Sequence, residues 1–311
     1  AMSQVTTTNY DLIGRITSEI KPEGTTTYEY YPSGTGGSVN KLKKITAFSG
    51  SIKEYTYDSY GRTLTEKITV GGTVHTTTLG YNAYDDIITV SYPGGFGLNY
   101  NYNAQGYLQN IKNATNTVTL FSATSVNGLG QILQYTLGNT KSSTNTYHHG
   151  IPTRYLTTGI QDLNLAWNYA TGNLTSRNDA IKSKTESFTY DNLNRLKTTA
   201  ITSLPTITMN YAANGNISSK TDVGTYNYHG TKINAVVQID NPLNFPAMIQ
   251  NVTYNSFYQP ATISEGTYNL ALTYGDDEQR IKTVLTQGST TLMTKYFFDG
   301  YEKLVSGGTT R

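Results

Sequence analysis

Tyr57-Asp58-Ser59-Tyr60-Gly61-Arg62-Thr63-Leu64 decides the fold, because it returns along the chain. Tyr10-Asp11-Leu12-Ile13-Gly14-Arg15-Ile16 and Tyr190-Asp191-Asn192-Leu193-Asn194-Arg195-Leu196 follow the same template, Y-D-x-x-G-R-(x)-L/I. Looser copies are Tyr102-Asn103-Ala104-Gln105-Gly106, Tyr169-Ala170-Thr171-Gly172-Asn173-Leu174 and Tyr211-Ala212-Ala213-Asn214-Gly215-Asn216-Ile217. Fainter ones begin near Tyr30, Tyr81, Asn127, Tyr147, Tyr228, Tyr254, Tyr274 and Phe298. The series amounts to about 14 units of roughly 21 residues, a period at which repeat architectures are found. No composition break interrupts it, so residues 1–311 read as one continuous domain.

Each unit has a local physical explanation. Apolar residues alternate before the turn, as in Tyr55/Tyr57, Tyr100/Tyr102 and Phe188/Tyr190, the period of a strand with one covered face. A glycine follows the tyrosine after four positions, at Gly14, Gly61, Gly106 and Gly215. Short hairpin loops built on a type I turn need positive φ near their end, and glycine adopts it without steric cost. Where glycine is absent, Asn194 and Asp85 stand in its place, the residue types that best tolerate left-handed backbone. On that reading Gly61→Val breaks its hairpin and Gly61→Asn is tolerated. Alternation resumes through Leu64-Thr65-Glu66-Lys67-Ile68, so each unit is a β-hairpin. The fold class expected is all-β, with tandem antiparallel hairpins forming one curved, spiralling sheet.

Asp11/Arg15, Asp58/Arg62, Asp191/Arg195 and Asp276/Arg280 repeat one carboxylate–guanidinium spacing across a turn. The first three flank the loop at equivalent places, so there the carboxylate can meet the guanidinium or cap loop amides, and a turn lock is the expected role. An exposed pair of this kind adds only about 0–1 kcal/mol, so it supplies turn geometry more than bulk stability. Loops are expected where the period stretches, at Ser33–Ser38 and at Asp240–Pro246, whose prolines forbid a regular central strand.

Hydrophobic residues make up 36% and charged residues 14% of the chain, with a formal net charge of +2. A disordered chain pairs poor hydrophobicity with strong net charge, which is missing here. Tyrosine, with 27 residues, and the still more frequent threonine replace aliphatic side chains, and both favour a pleated, half-buried surface. The richest basic run, Lys41–Lys44, is too short for a phosphate-binding stripe, which argues against nucleic acid. Without cysteine there is no disulfide, thiolate metal site or thiol nucleophile. No apolar run reaches the roughly 18 residues of a membrane-spanning helix. Ala1-Met2-Ser3 does not read as a secretory leader, and an export signal is expected outside this stretch.

Candidates for chemistry are few. His148 and His149 are adjacent, and on a strand their rings point to opposite faces and share no metal. Asp276-Asp277-Glu278 and Asp85-Asp86 lack the spaced oxygen ligands of a calcium loop. A glycosidase needs two convergent carboxylates, and nothing selects a pair from the 21 acids. Gly34-Thr35-Gly36-Gly37 lacks the lysine and following helix of a phosphate loop. Asn113, Asn173, Asn216 and Asn251 open N-x-S/T triplets, which a threonine-rich chain produces by chance. Aromatic rings can stack on sugars, which leaves glycan binding as a second reading. Tyrosines at repeat-locked positions, and Trp167, fit wall packing better. No catalytic, cofactor-binding or metal-ligating residue is expected.

The Tyr57-Asp58-x-x-Gly61-Arg62 and Tyr190-Asp191-x-x-Asn194-Arg195-Leu196 copies, in register with the rest, resemble the YD-repeat region of bacterial Rhs proteins, toxin-complex B and C components and teneurins. The likeness covers essentially the whole chain. It implies a ribbon of antiparallel strands that spirals into a hollow shell around a cargo polypeptide, in a secreted or cell-surface bacterial protein. The partners it implies are further shell repeats and an enclosed toxin or effector domain. The stretch from Arg280 to Val305 resembles the last repeats before the family's self-cleaving C-terminal core, so no family catalytic residue is carried onto this chain. A cell-surface adhesion or carbohydrate-binding repeat module is the alternative.

Overall fold

Threonine and tyrosine favour extended backbone, and the computed structural model consists almost wholly of short strands. It describes residues 5–310 except 35, 232, 241–242, 244–249 and 299. Ala1-Met2-Ser3, Thr35 of the glycine run and most of the proline-bearing Asp240–Pro246 loop thus lie outside the described residues. Among the described residues are 29 strands and one 3-10 turn at Gly36–Ser38, and no α-helix. Strands follow chain order and pair antiparallel with their neighbours, as the registers of Ile52–Tyr57 with Thr63–Val70 and of Lys184–Tyr190 with Leu196–Ile201 illustrate. A 22-stranded sheet runs from Thr7 to Asp240 and a 7-stranded one from Gln250 to Thr310. The all-β array of tandem hairpins stands as read from the repeat. Among the described residues its strands are shared between two sheets, and the division falls at the proline-bearing loop.

The register commonly slips at the repeat aromatic, although Thr290–Phe298 meets Tyr301–Ser306 without a slip. Tyr57 faces Thr63 while Thr56 faces Thr65, which leaves Leu64 unpaired in a bulge. The same slip occurs at Tyr10, Tyr190, Tyr211, Tyr254 and Tyr274. Each bulge bends its strand and increases the local right-handed twist.

Residue contacts divide the chain into two compact units, residues 1–98 with 248–311, and residues 99–247. In the first, hairpins from the two ends of the chain pack on each other. Ile68 and Val70 of strand Thr63–Val70 are buried with Ile281 of strand Arg280–Gln287, and Tyr296 and Phe298 pack against them. The His75 ring lies 4.1 Å from that of Phe298 and 6.0 Å from that of Tyr296. Full burial of such an aliphatic side chain contributes about 1.5–3 kcal/mol. Ile45, Ala47 and Val90 are buried in the same unit.

The second unit has little apolar interior. Met209 is its one buried apolar side chain among the described residues, whereas Ser143 and Thr157 are buried and bond to each other at 2.7 Å. Cross-strand polar pairs join neighbouring strands here, as Thr56–Thr65 at 2.6 Å and Thr253–Thr262 at 2.7 Å do in the first unit. The residue before the repeat aromatic meets its opposite number in Thr189–Thr198 at 2.6 Å, Asn101–Asn110 at 2.8 Å and Asn210–Ser219 at 2.9 Å. Directly opposed pairs like these contribute roughly 0.2–1 kcal/mol each. This is where the threonine goes.

Candidate functional site

The site is the repeat turn and its links to the next turn. In the Tyr57 unit, the Asp58 amide donates to the Arg62 carbonyl at 2.9 Å and the Gly61 amide to the Asp58 carbonyl at 3.0 Å. That closes a type I turn followed by a left-handed residue, and Gly61 has φ +80°. Gly14, Gly106, Gly172 and Gly215 have φ of +83°, +80°, +74° and +91°, and Asn194 and Asp85 take +58° and +68°.

Asp58 organises the turn from its side chain. Its Oδ1 accepts the amides of Tyr60 and Arg62, each at 2.9 Å, and its Oδ2 accepts Arg62 Nε at 2.7 Å. Asp11 and Asp191 repeat the set, with Arg15 Nε and Arg195 Nε each at 2.6 Å. The Arg15 amide is the main cause holding the Asp11 carboxyl below its ordinary range, helped by the guanidinium and the Ile13 amide. At Asp58 and Asp191 partial burial pushes upward, but the same amide and guanidinium donors outweigh it and the carboxyls stay low.

Two further contacts tie each turn to the next. The arginine that the aspartate orients lies over the following repeat aromatic: Arg15 over Tyr30 at 4.4 Å, Arg62 over Tyr81 at 4.7 Å, Arg195 over Tyr211 at 4.3 Å. Arg62 Nη1 also reaches the Asn82 carbonyl at 2.9 Å and Asp85 at 2.8 Å. In return, the repeat aromatic donates to the backbone where the preceding turn ends. Tyr81 bonds the Thr63 carbonyl at 2.8 Å, Tyr211 that of Leu196 at 2.7 Å and Tyr274 that of Pro260 at 2.8 Å. Burial raises the Tyr81 and Tyr274 hydroxyls above their ordinary value.

Four expectations need correction. The repeat aromatic of the Tyr169 unit is Trp167, whose Nε1 donates to the Pro152 carbonyl at 2.7 Å as the tyrosine hydroxyls do. The turn there is one residue longer, with the Gly172 amide bonded to the Asn168 carbonyl, and Tyr169 stands at its tip against His148. Asp276 and Arg280 do not form the lock. Gly275 occupies the aspartate place, Glu278 the left-handed place with φ +61°, and Asp276 pairs instead with Lys53 at 2.9 Å. Arg280 lies over Phe297 at 4.3 Å. His148 and His149 are not on opposite faces, because His149 leaves the strand at φ +49° and its ring lies 4.1 Å from its neighbour's. Finally, a Cβ at Gly61 would stand 2.7 Å from the Gly37 carbonyl oxygen, so asparagine does not fit there, whereas Gly106 faces open space.

The sequence template also passes over a neutral form of the lock. Asn127 accepts the amides of Leu129 and Gln131 and holds the Gln131 side chain at 2.9 Å, and Gln131 bonds the Gly150 carbonyl at 2.8 Å. Asn255 and Gln259 do the same, with Gln259 bonded to the Glu278 carbonyl at 2.8 Å. The signal for it is Asn and Gln at the places of Asp and Arg. Among the described residues, no three His, Cys, Asp or Glu side chains gather where they could hold a metal ion. Nor, among these residues, is any helix long and apolar enough to cross a membrane.

With this geometry, the chain superposes over 99% of its length on the crystal structure of TcdB2-TccC3, with a TM-score of 0.74 and 14% identity. The chain shares the fold of that YD-repeat shell. The structure of the Photorhabdus luminescens Tc holotoxin pore with the TccC3-D651A mutation matches over 98% of this chain, at a TM-score of 0.67 and 14% identity. TcdB2-TccC3-Cdc42 matches over 98% at 0.68 and 14%. This chain spans about a fifth of the solved chains, 20%, 20% and 21% respectively. No protein-family model and no curated protein matches. Low identity fits a YD-repeat fold specified by an aromatic, an aspartate or asparagine, a left-handed residue and an arginine or glutamine per unit.

Proposed function

We propose that this chain is a non-catalytic segment of a shell wall, and that the parent protein encloses a toxin or effector polypeptide behind it. The observation that carries the reading is the relay of turns. Asp58 orients Arg62, Arg62 reaches the Asn82 turn, and Tyr81 of that turn bonds back to Thr63. Charged and polar groups that could have formed a reaction centre are spent on holding neighbouring hairpins in step. A wall needs that, and a catalyst does not. The fold shared with the TcdB2-TccC3 structures supports the scaffold role. A cargo confined behind such a wall would be shielded from the producing cell, which suits a secreted or cell-surface protein.

The test is protease protection in the full parent protein. The enclosed polypeptide should resist a protease added outside, and it should become cleavable when one hairpin is opened by Gly61→Val. Equal digestion in both proteins would overturn enclosure. Saturable binding of this chain to one glycan, lost on replacing the tip residues Tyr60 and Tyr84, would transfer the function to the adhesion reading.

A further inference from the structure

Strands of the array meet in two kinds of turn, those that follow the repeat aromatic and those between repeats. In the first unit the between-repeat turn at Tyr92–Phe96 faces the start of strand Tyr301–Ser306, which opens just after the repeat aromatic Phe298. With the first residues of strand Thr73–Tyr81 they wall a cavity of about 440 Å³. Small-molecule sites usually measure roughly 300–1,000 Å³. Glycines seat its tyrosines. A Cβ at Gly300 would stand 3.4 Å from the Tyr92 ring, and one at Gly94 would stand 3.6 Å from the Tyr301 hydroxyl. Each tyrosine therefore lies against the other's turn.

Polar side chains elsewhere hold turns together, as Tyr81, Tyr211 and Tyr274 do through their hydroxyls. Around this cavity they are left over. Among the described residues, neither the Tyr92 nor the Tyr301 hydroxyl has a hydrogen-bond partner in the chain. Lys303 forms no ion pair among them, and its neighbour Glu302 is paired with Lys295 at 2.6 Å. His75, which also lines the cavity, is 6% exposed, and its buried Nε2 has no partner. Burial, and after it the Lys303 charge, lowers His75 from its ordinary 6.5. The two groups are thus close, and the imidazole is neutral at pH 7. Buried polar groups normally find partners, so several that lack them at one cavity point to a ligand.

We propose that this cavity binds a small carboxylate carried on a ring. Lys303 is the one full charge among the described residues that line it, which calls for an anion. Tyr92, Pro93 and Tyr301 offer ring faces and apolar edges, against which a ring packs. Inorganic phosphate would answer Lys303 and leave that wall bare, and a neutral ring would leave Lys303 unanswered. The tyrosine hydroxyls, with His75 beside them, supply hydrogen bonds to the ring's substituents. The site stands apart from enclosure, which rests on the turn relay.

Calorimetric titration of the whole chain with 4-hydroxybenzoate and with glucuronate tests it, since these carry the same group on an aromatic and on a sugar ring. At least one should bind with a dissociation constant on the order of 1 mM or tighter, the reach of so small a ligand. Its neutral counterpart, 4-hydroxybenzamide or glucose, should bind about tenfold more weakly, as should the acid to K303Q, through loss of one charge-assisted hydrogen bond. In nuclear magnetic resonance, the His75 imidazole signals, assigned by their loss in H75F, should shift on binding. Those of His148, His149 and His229 should stay. If H75F does not fold, K303Q and the neutral counterparts carry the test. Failure of both acids to bind would overturn the proposal, as would equal binding of the neutral counterparts or unmoved His75 signals. So would binding to this chain that is lost in the full parent protein, which would assign the cavity to the parent's own polypeptide.

Discussion

Residues 1–98 and 248–311 close around Ile68, Val70 and Ile281, whereas residues 99–247 bury Met209 and little else that is apolar. The hairpin is the same in both. Asp58 and Arg62 in one unit and Asp191 and Arg195 in the other make the same bonds within a tenth of an ångström, at 2.7 and 2.6 Å. The repeat alone thus sets local geometry, and an apolar seam is added where hairpins from distant parts of the chain face each other. Stability should follow the same division. The first unit depends on contacts between residues some 200 positions apart, and the second on bonds between neighbouring strands, so the two should open separately.

The strongest way to break this comparison is to cut the seam. Ile281→Ala should cost about 2–5 kcal/mol, the usual loss for an aliphatic side chain removed from a packed interior. Hydrogen exchange should accelerate in strands Thr63–Val70 and Arg280–Gln287 and stay unchanged in Gln161–Asn168. Met209→Ala, in a sheet with less packed around it, should cost no more than about 2 kcal/mol. Equal costs, or exchange spreading through both units from either change, would show a single cooperative body.

A second comparison sets one turn in each unit side by side. Gly106→Asn should be nearly neutral by thermal melting, because asparagine tolerates left-handed backbone and nothing lies within 4 Å of the added carbon. Gly61→Asn should cost about 1–3 kcal/mol, as overpacking does, since the added carbon meets the Gly37 carbonyl. Matching melting temperatures for the two variants would show that the loop around Gly37 yields freely.

The smallest expected effect is a pH dependence confined to the seam. Burial, and behind it the charge of Lys303, holds His75 below its ordinary value of 6.5. The unfolded chain then takes up the proton first as pH falls. The His75 contribution to stability is complete above 6.5 and is lost as pH drops through its lowered folded value. Melts between pH 8 and pH 5 should therefore fall less steeply for His75→Phe than for the unaltered protein. Identical slopes would remove His75 as the cause.

Hairpins, left-handed places and three of the aspartate locks were legible because each is decided within a few residues. Gly14, Asn194 and Asp11 carry their own explanation. Legibility failed where the deciding atom lay elsewhere. Trp167 takes the tyrosine's part because its indole N–H reaches Pro152, and the longer turn that displaces Tyr169 leaves no mark in the template. Asp276 answers to Lys53, more than two hundred residues away, and no local period announces that. Whether asparagine fits at Gly61 likewise depends on Gly37, in a loop of a different hairpin.

Alternation of the two kinds of turn gives the array a parity. Adding or losing a strand pair leaves every later turn on its own side, with its aromatic still beside the preceding turn. Adding or losing one strand would exchange the sides for everything downstream, and each Tyr and Arg would face a turn with no matching carbonyl or ring. Length changes in such a chain should therefore come in whole hairpins, and an odd count would be felt far from where it occurred.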